Sequence, residues 1–187
     1  MSTTTIAWLD TIERPWLKML PVRIGDIPSG LGTPDKYLLL SRDASPVLRV
    51  DAYRSSQECF TFTAAIIWHE FLVVGWGHSA YLINVDNGSL ITHSLGVYFG
   101  YIYADNSYLL IASGERLWCI RRDGSLQWRF DKLGIDGVVV NDVTDGTISG
   151  DGEWDPPGGW RPFRIRENEM KIRKAIEAEA ARLKGKR

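Results

Sequence analysis

One stretch of this chain repeats itself, and the repeat limits the available folds more than any other feature. Phe71-Leu-Val-Val-Gly-Trp-Gly77 aligns with Tyr108-Leu-Leu-Ile-Ala-Ser-Gly114, each an aromatic residue, three aliphatic residues and a turn. Ala80-Tyr-Leu-Ile83 then aligns with Leu117-Trp-Cys-Ile120, and Asn87-Gly-Ser-Leu90 with Asp123-Gly-Ser-Leu126. Both copies close on Leu-Gly, at Leu95-Gly96 and Leu133-Gly134. The offset is 37 residues, shortens to 36 at the turn and returns to 38 at the close. A period of this length marks a supersecondary unit that buries its apolar faces against its neighbours.

The units are built of strands. Thirteen short runs rich in β-branched and aromatic residues lie between Tyr37 and Ile165, with no helical period between them. Asn87-Gly88, Asp123-Gly124 and Asp145-Gly146 punctuate them. These pairs tolerate the positive φ of type I′ turns and so join adjacent antiparallel strands. The expected fold class is all-β, an antiparallel meander of blade-like repeats over residues 36–166. About four strands fall in each repeat, the content of one propeller blade. Thirteen strands make three blades and a remnant, too few to close a ring, so the expected form is an open curved array or a two-sheet sandwich.

The flanks differ. In residues 1–35, Trp8, Leu9, Ile12, Trp16, Leu17 and Leu20 recur at three- and four-residue steps, which predicts a short amphipathic helix, kinked at Pro15, packing on the sheet. Residues 167–187 are dense in Glu, Lys, Arg and Ala with a thin apolar line of Met170, Ile172, Ile176, Ala180 and Leu183. That pattern predicts a charged C-terminal helix, acidic toward its start and basic toward its end, as the helix dipole favours.

The second copy, Leu117-Trp-Cys-Ile-Arg-Arg-Asp-Gly-Ser-Leu-Gln-Trp-Arg-Phe130, resembles the blade motif of quinoprotein-type propellers. In that family a strand, an Asp/Asn-Gly hairpin and an outgoing-strand Trp recur, and the Trp docks between blades. Trp128 is the matching residue, while Thr92 stands in its place in the first copy. The resemblance implies blade-like sheets but no quinone, because the family's cofactor residues have no match. Gly150-Asp-Gly-Glu-Trp-Asp-Pro-Pro-Gly-Gly-Trp-Arg-Pro-Phe163 resembles a motif of uncharacterised bacterial proteins with similar repeats. Some small bacterial proteins of that kind look like immunity or antitoxin partners of secreted toxins, which implies a toxin as the partner.

Composition narrows the function. The 187 residues carry 22 Lys+Arg against 23 Asp+Glu, a net charge of -1, so the basic excess a phosphate-binding surface needs is missing and nucleic acid is not an expected partner. Apolar runs of about five to six residues are far short of the ~20 that span a membrane, and residues 1–20 do not read as a signal peptide. Two cysteines, Cys59 and Cys119, are too few for a disulfide framework or a thiolate zinc site, and a reducing cytoplasm is the expected compartment. His69, His78 and His93 read as turn and surface residues with no metal-binding or triad spacing. No metal or other cofactor is expected.

The remaining candidate is the 150–163 segment. Asp151, Glu153 and Asp155 alternate, so an extended strand would turn all three carboxylates to one side, while Trp154 and Trp160 would anchor the segment from beneath. Together with Arg161 these residues form the candidate binding site. Two function classes fit it. The first is a non-catalytic protein-binding domain whose acidic, aromatic segment steers a basic partner. The second is a carbohydrate-active or metal-assisted hydrolase using the same carboxylates. With no coherent catalytic set in the sequence, the first reading is favoured and no catalytic residue is assigned.

Overall fold

The computed structural model describes residues 3–54, 62–154 and 158–166. Over these the chain forms four separate β-sheets, none closed into a barrel. The first contains β1 (Thr4–Leu9), β2 (Val22–Gly25), β3 (Lys36–Arg42) and β4 (Ser45–Tyr53), in the order β1-β3-β4-β2. In it β2 runs parallel to β4, and the other pairs are antiparallel. The second takes β5 (Ala64–Trp68), β6 (Phe71–Trp76), β7 (Ser79–Asn84) and β8 (Leu90–Ser94) in chain order. The third repeats that plan with β9 (Phe99–Ala104), β10 (Leu109–Ser113), β11 (Leu117–Ile120) and β12 (Leu126–Phe130). The fourth has β13 (Gly137–Thr144), β14 (Thr147–Glu153) and β15 (Trp160–Arg166), again in chain order.

The two repeat copies are the second and third sheets, and their details correspond. Leu90 opens β8 opposite Ile83, and Leu126 opens β12 opposite Ile120. They are 40% and 38% exposed. The Asn87 and Asp123 side chains each accept the N–H two residues on, from Ser89 at 2.8 Å and Ser125 at 2.9 Å. Gly88 and Gly124 follow at φ +70° and +82°, where a β-carbon would be strained.

Three cores lie in series between the four sheets. Ile24, Leu38, Leu40, Val50 and Ala52 of the first sheet meet Leu72, Val74 and Ile83 of the second. The opposite face of the second, with Val73 and Leu82, meets Phe99, Leu109, Ile111 and Trp118 of the third. The third sheet's other face offers Leu110, Ala112, Leu117, Cys119 and Trp128 to Val138, Val140, Ile148 and Ile165 of the fourth. The middle sheets are thus buried on both faces, which is why β6 and β10 read as unbroken apolar runs. Trp128 is buried between the third sheet and the fourth.

The outermost faces are treated differently. Residues 10–21 cross the outer face of the first sheet, where the Arg49 guanidinium donates to the carbonyls of Trp16 and Met19 at 3.3 and 3.4 Å. Arg49 also grips Asp51 with two bonds of 2.7 and 2.8 Å and lies over the Tyr37 ring. The outer face of the fourth sheet is polar, carrying Ser149, Asp151 and Glu153 on β14 and Arg164 and Arg166 on β15. A stack of repeats needs such covered or polar ends to remain soluble.

The N-terminal helix expected from the sequence is absent. Its apolar residues serve two unrelated purposes: Trp8 sits in β1 and stacks on Trp76 at 5.4 Å, while Trp16 belongs to the segment crossing the outer face. Helical structure there is one 3-10 turn, Trp16–Lys18, after Pro15, and Leu17 and Leu20 point to solvent, 57% and 93% exposed. β1 and β2 are the edges of the first sheet, which raises the strand total above the thirteen expected. The expected C-terminal helix lies outside the described residues.

Candidate functional site

The chain passes from the second sheet to the third through residues 95–98 and from the third to the fourth through residues 131–136, both at one end of the stack, where β4 also ends and β5 begins. The turns between β6 and β7 and between β10 and β11, the last residue of β14 and the first of β15 are at the same end. Backbone bonds tie these segments together, from Phe99 N–H to Gly77 carbonyl at 2.8 Å and from Ile135 N–H to Glu153 carbonyl at 2.8 Å. The Trp76 indole N–H reaches the Tyr53 carbonyl at 2.9 Å, which ties in the first sheet.

Three residues occupy corresponding places just before the first strand of a sheet: Phe62 before β5, Tyr98 before β9 and Asp136 before β13. They touch in sequence. The Phe62 and Tyr98 rings stack at 6.4 Å, and the Tyr98 hydroxyl donates to Asp136 Oδ1 at 2.6 Å, close also to the Asp136 carbonyl. Burial, then the bond to and charge of Asp136, then the charge of Glu153, hold the Tyr98 hydroxyl well above the usual tyrosine range.

Glu153 ends β14 and pairs with Trp160, the first residue of β15. Its carboxylate and the Trp160 ring converge over Gly137, where an added β-carbon would sit 2.9 Å from the ring and 3.2 Å from Oε2. Gly137 therefore makes room for both. Trp160 is 52% exposed, and Phe62 and Ile135, at the same end of the stack, are exposed as well. Leu9 at the end of β1 and Ile27 and Leu31 between β2 and β3 add three more exposed apolar residues at this end. Six of the twelve exposed large apolar side chains among the described residues therefore lie at the connection end.

The residues named from the sequence divide between two faces. Asp151, Glu153 and Trp160 share the outer face of the fourth sheet, as strand alternation requires. Asp151 is engaged by the Asn141 side-chain amide at 2.6 Å. Trp154 and Arg161 lie with the opposite parity, the guanidinium 5.7 Å over the Trp154 ring. Asp155 is outside the described residues. The expectation that Trp160 anchors the segment from beneath fails, because the bare Gly137 lets the ring lie on the outside of the sheet. Phe62, Tyr98, Ile135 and Asp136 were not legible as site residues in isolation. The signal that could have found Tyr98 and Asp136 is their 38-residue separation, equal to that of Leu95 and Leu133.

Two of the three histidines bridge neighbouring sheets. His93 Nε2 is 2.8 Å from the Gly124 carbonyl and His69 Nε2 is 3.1 Å from that of Asn106, both joining the second sheet to the third. Among the described residues no three His, Cys, Asp or Glu side chains are grouped to hold a metal ion, and no helix is long and apolar enough to cross a membrane. No protein-family model matches the chain, and no curated protein matches it.

Proposed function

We propose that this chain is a non-catalytic protein-binding domain that engages its partner through the connection end of its sheet stack. The observation that carries the reading is the meeting there of the exposed Trp160 ring and the Glu153 carboxylate over Gly137, next in the chain to Asp136, with Phe62 and Ile135 exposed at the same end. Clustered exposed apolar side chains with polar neighbours characterise protein interaction sites, and Trp is the residue most enriched among binding hot spots. The two carboxylates draw basic surfaces. A bacterial toxin with a basic working surface is the partner class that suits an immunity-type role, and a shared cytoplasm is where the two would meet.

The finer architecture belongs to the same proposal: the four sheets act as successive propeller-like blades of an open array. Its support is the identical strand order of the second and third sheets, continued by three strands in the fourth, and the three cores in series. Loops carried at one end of a rigid strand scaffold are where binding residues concentrate.

The test is capture from host lysate by the full chain and by a Trp160→Ala/Glu153→Gln variant, both checked for native folding. The expected result is a protein retained by the wild type and not by the variant, toxic when produced alone and harmless when produced with this chain. Identical capture by both forms, or turnover of a glycan by the wild type that is lost in Glu153→Gln, would overturn the reading.

A further inference from the structure

We infer that Glu153, Asp136 and Trp160 form a subsite for a cationic side chain, the guanidinium of an arginine or the ammonium of a lysine presented by the partner. The inference rests on the protein-binding reading and supplies the chemistry of the group recognised. Arg49 lies over Tyr37, Arg54 over Trp76, Arg129 over Trp118 and Arg161 over Trp154, all within 5.7 Å of the ring centres. No such contact among the described residues involves Trp160, although half its surface is open and the Glu153 carboxylate meets its ring over Gly137.

An aromatic face beside a carboxylate is matched to a cation that is flat or carries apolar methylenes. The ring quadrupole attracts the charge, the carboxylate pairs with it, and the stem covers the indole. Asp136 supplies a second negative charge, held in place by the Tyr98 hydroxyl at 2.6 Å and directly followed by Gly137. Exposed Ile135, next to Asp136 in the chain, suits an apolar residue beside an arginine in a protein segment. Arginine is the better fit of the two cations, because its planar guanidinium can stack on indole while bonding a carboxylate.

The test needs no partner. The full-length protein, labelled with nitrogen-15, is titrated with N-acetyl-arginine amide, N-acetyl-lysine amide and the neutral N-acetyl-glutamine amide while the Trp160 indole N–H signal is followed, assigned by its loss in Trp160→Phe. The expected result is a saturable shift with the arginine and lysine probes, arginine the tighter, and none with glutamine. Glu153→Gln, which keeps the shape of the side chain, is expected to weaken the arginine probe by roughly two- to fivefold, the scale of one exposed ion pair. An unmoved Trp160 signal, an equal response to the glutamine probe, or a response unchanged in Glu153→Gln would overturn the subsite. Arginine binding in a protein that captures no partner would instead retain the subsite and remove the protein-binding reading.

Discussion

Leu95 and Leu133 hold the same place in successive sheets. Each N–H donates to a carbonyl in the turn after the second strand of its own sheet, His78 at 2.8 Å for Leu95 and Glu115 at 3.0 Å for Leu133. Both side chains are buried, Leu95 between the second and third sheets and Leu133 between the third and fourth. One backbone bond, made twice 38 residues apart, thus fixes where the chain leaves one sheet for the next.

Trp128 follows that plan, buried against the fourth sheet. Trp128→Ala is expected to cost about 3–5 kcal/mol, the range for deleting a large core aromatic. Urea unfolding measures it, and a loss below about 1 kcal/mol would place the ring outside the core.

Gly75 marks where the copies diverge. A β-carbon there would lie 2.2–2.4 Å from three atoms of the buried Phe99 ring, yet the corresponding residue of the third sheet is Ala112. Gly75→Ala is expected to destabilise by about 1–3 kcal/mol through overpacking. Adding Phe99→Leu is expected to make the glycine substitution cheaper, because the obstructing ring is gone. Strict additivity in a double-mutant cycle would contradict the contact.

The Arg49–Asp51 pair is nearly buried, its side chains 12% and 5% exposed, and doubly bonded. Removing one member strands the other charge, so Arg49→Met alone is expected to cost about 3–5 kcal/mol. Arg49→Met with Asp51→Leu is expected to cost less than Arg49→Met alone, since no charge is left buried. Thermal and urea unfolding of the two variants decide the order.

How much of this was legible in the sequence depended on the range of the contacts. Strands set by their own alternation and by Asn-Gly or Asp-Gly turns were legible, as Leu90 and Leu126 show. β1 was not, because its spacing overlaps that of a helix and its strand character comes from pairing with β3, about 30 residues away. The same held for the site. Asp151 and Glu153 announced a shared face by simple alternation, whereas Tyr98 and Asp136 meet only once two sheets have stacked.

The Tyr98 hydroxyl has a consequence for pH. Its folded pKa is raised by burial, Asp136 and Glu153, so the stabilisation is fully present below about pH 10, the unfolded tyrosine value, and declines as pH rises beyond it. Tyr98→Phe is expected to flatten that alkaline loss while leaving the third sheet folded. An alkaline stability profile superimposable on the wild type would contradict the Tyr98–Asp136 bond.

Binding of a basic protein surface by the connection end is measured by the association rate of the captured partner as a function of ionic strength. For the wild type the rate is expected to fall as salt rises, because screening shortens to about 8 Å at physiological strength. For Asp136→Asn/Asp151→Asn/Glu153→Gln it is expected to start lower and to depend less on salt, the two curves converging at high salt. Equal rates for the two proteins at every ionic strength would contradict binding of a basic surface at the connection end.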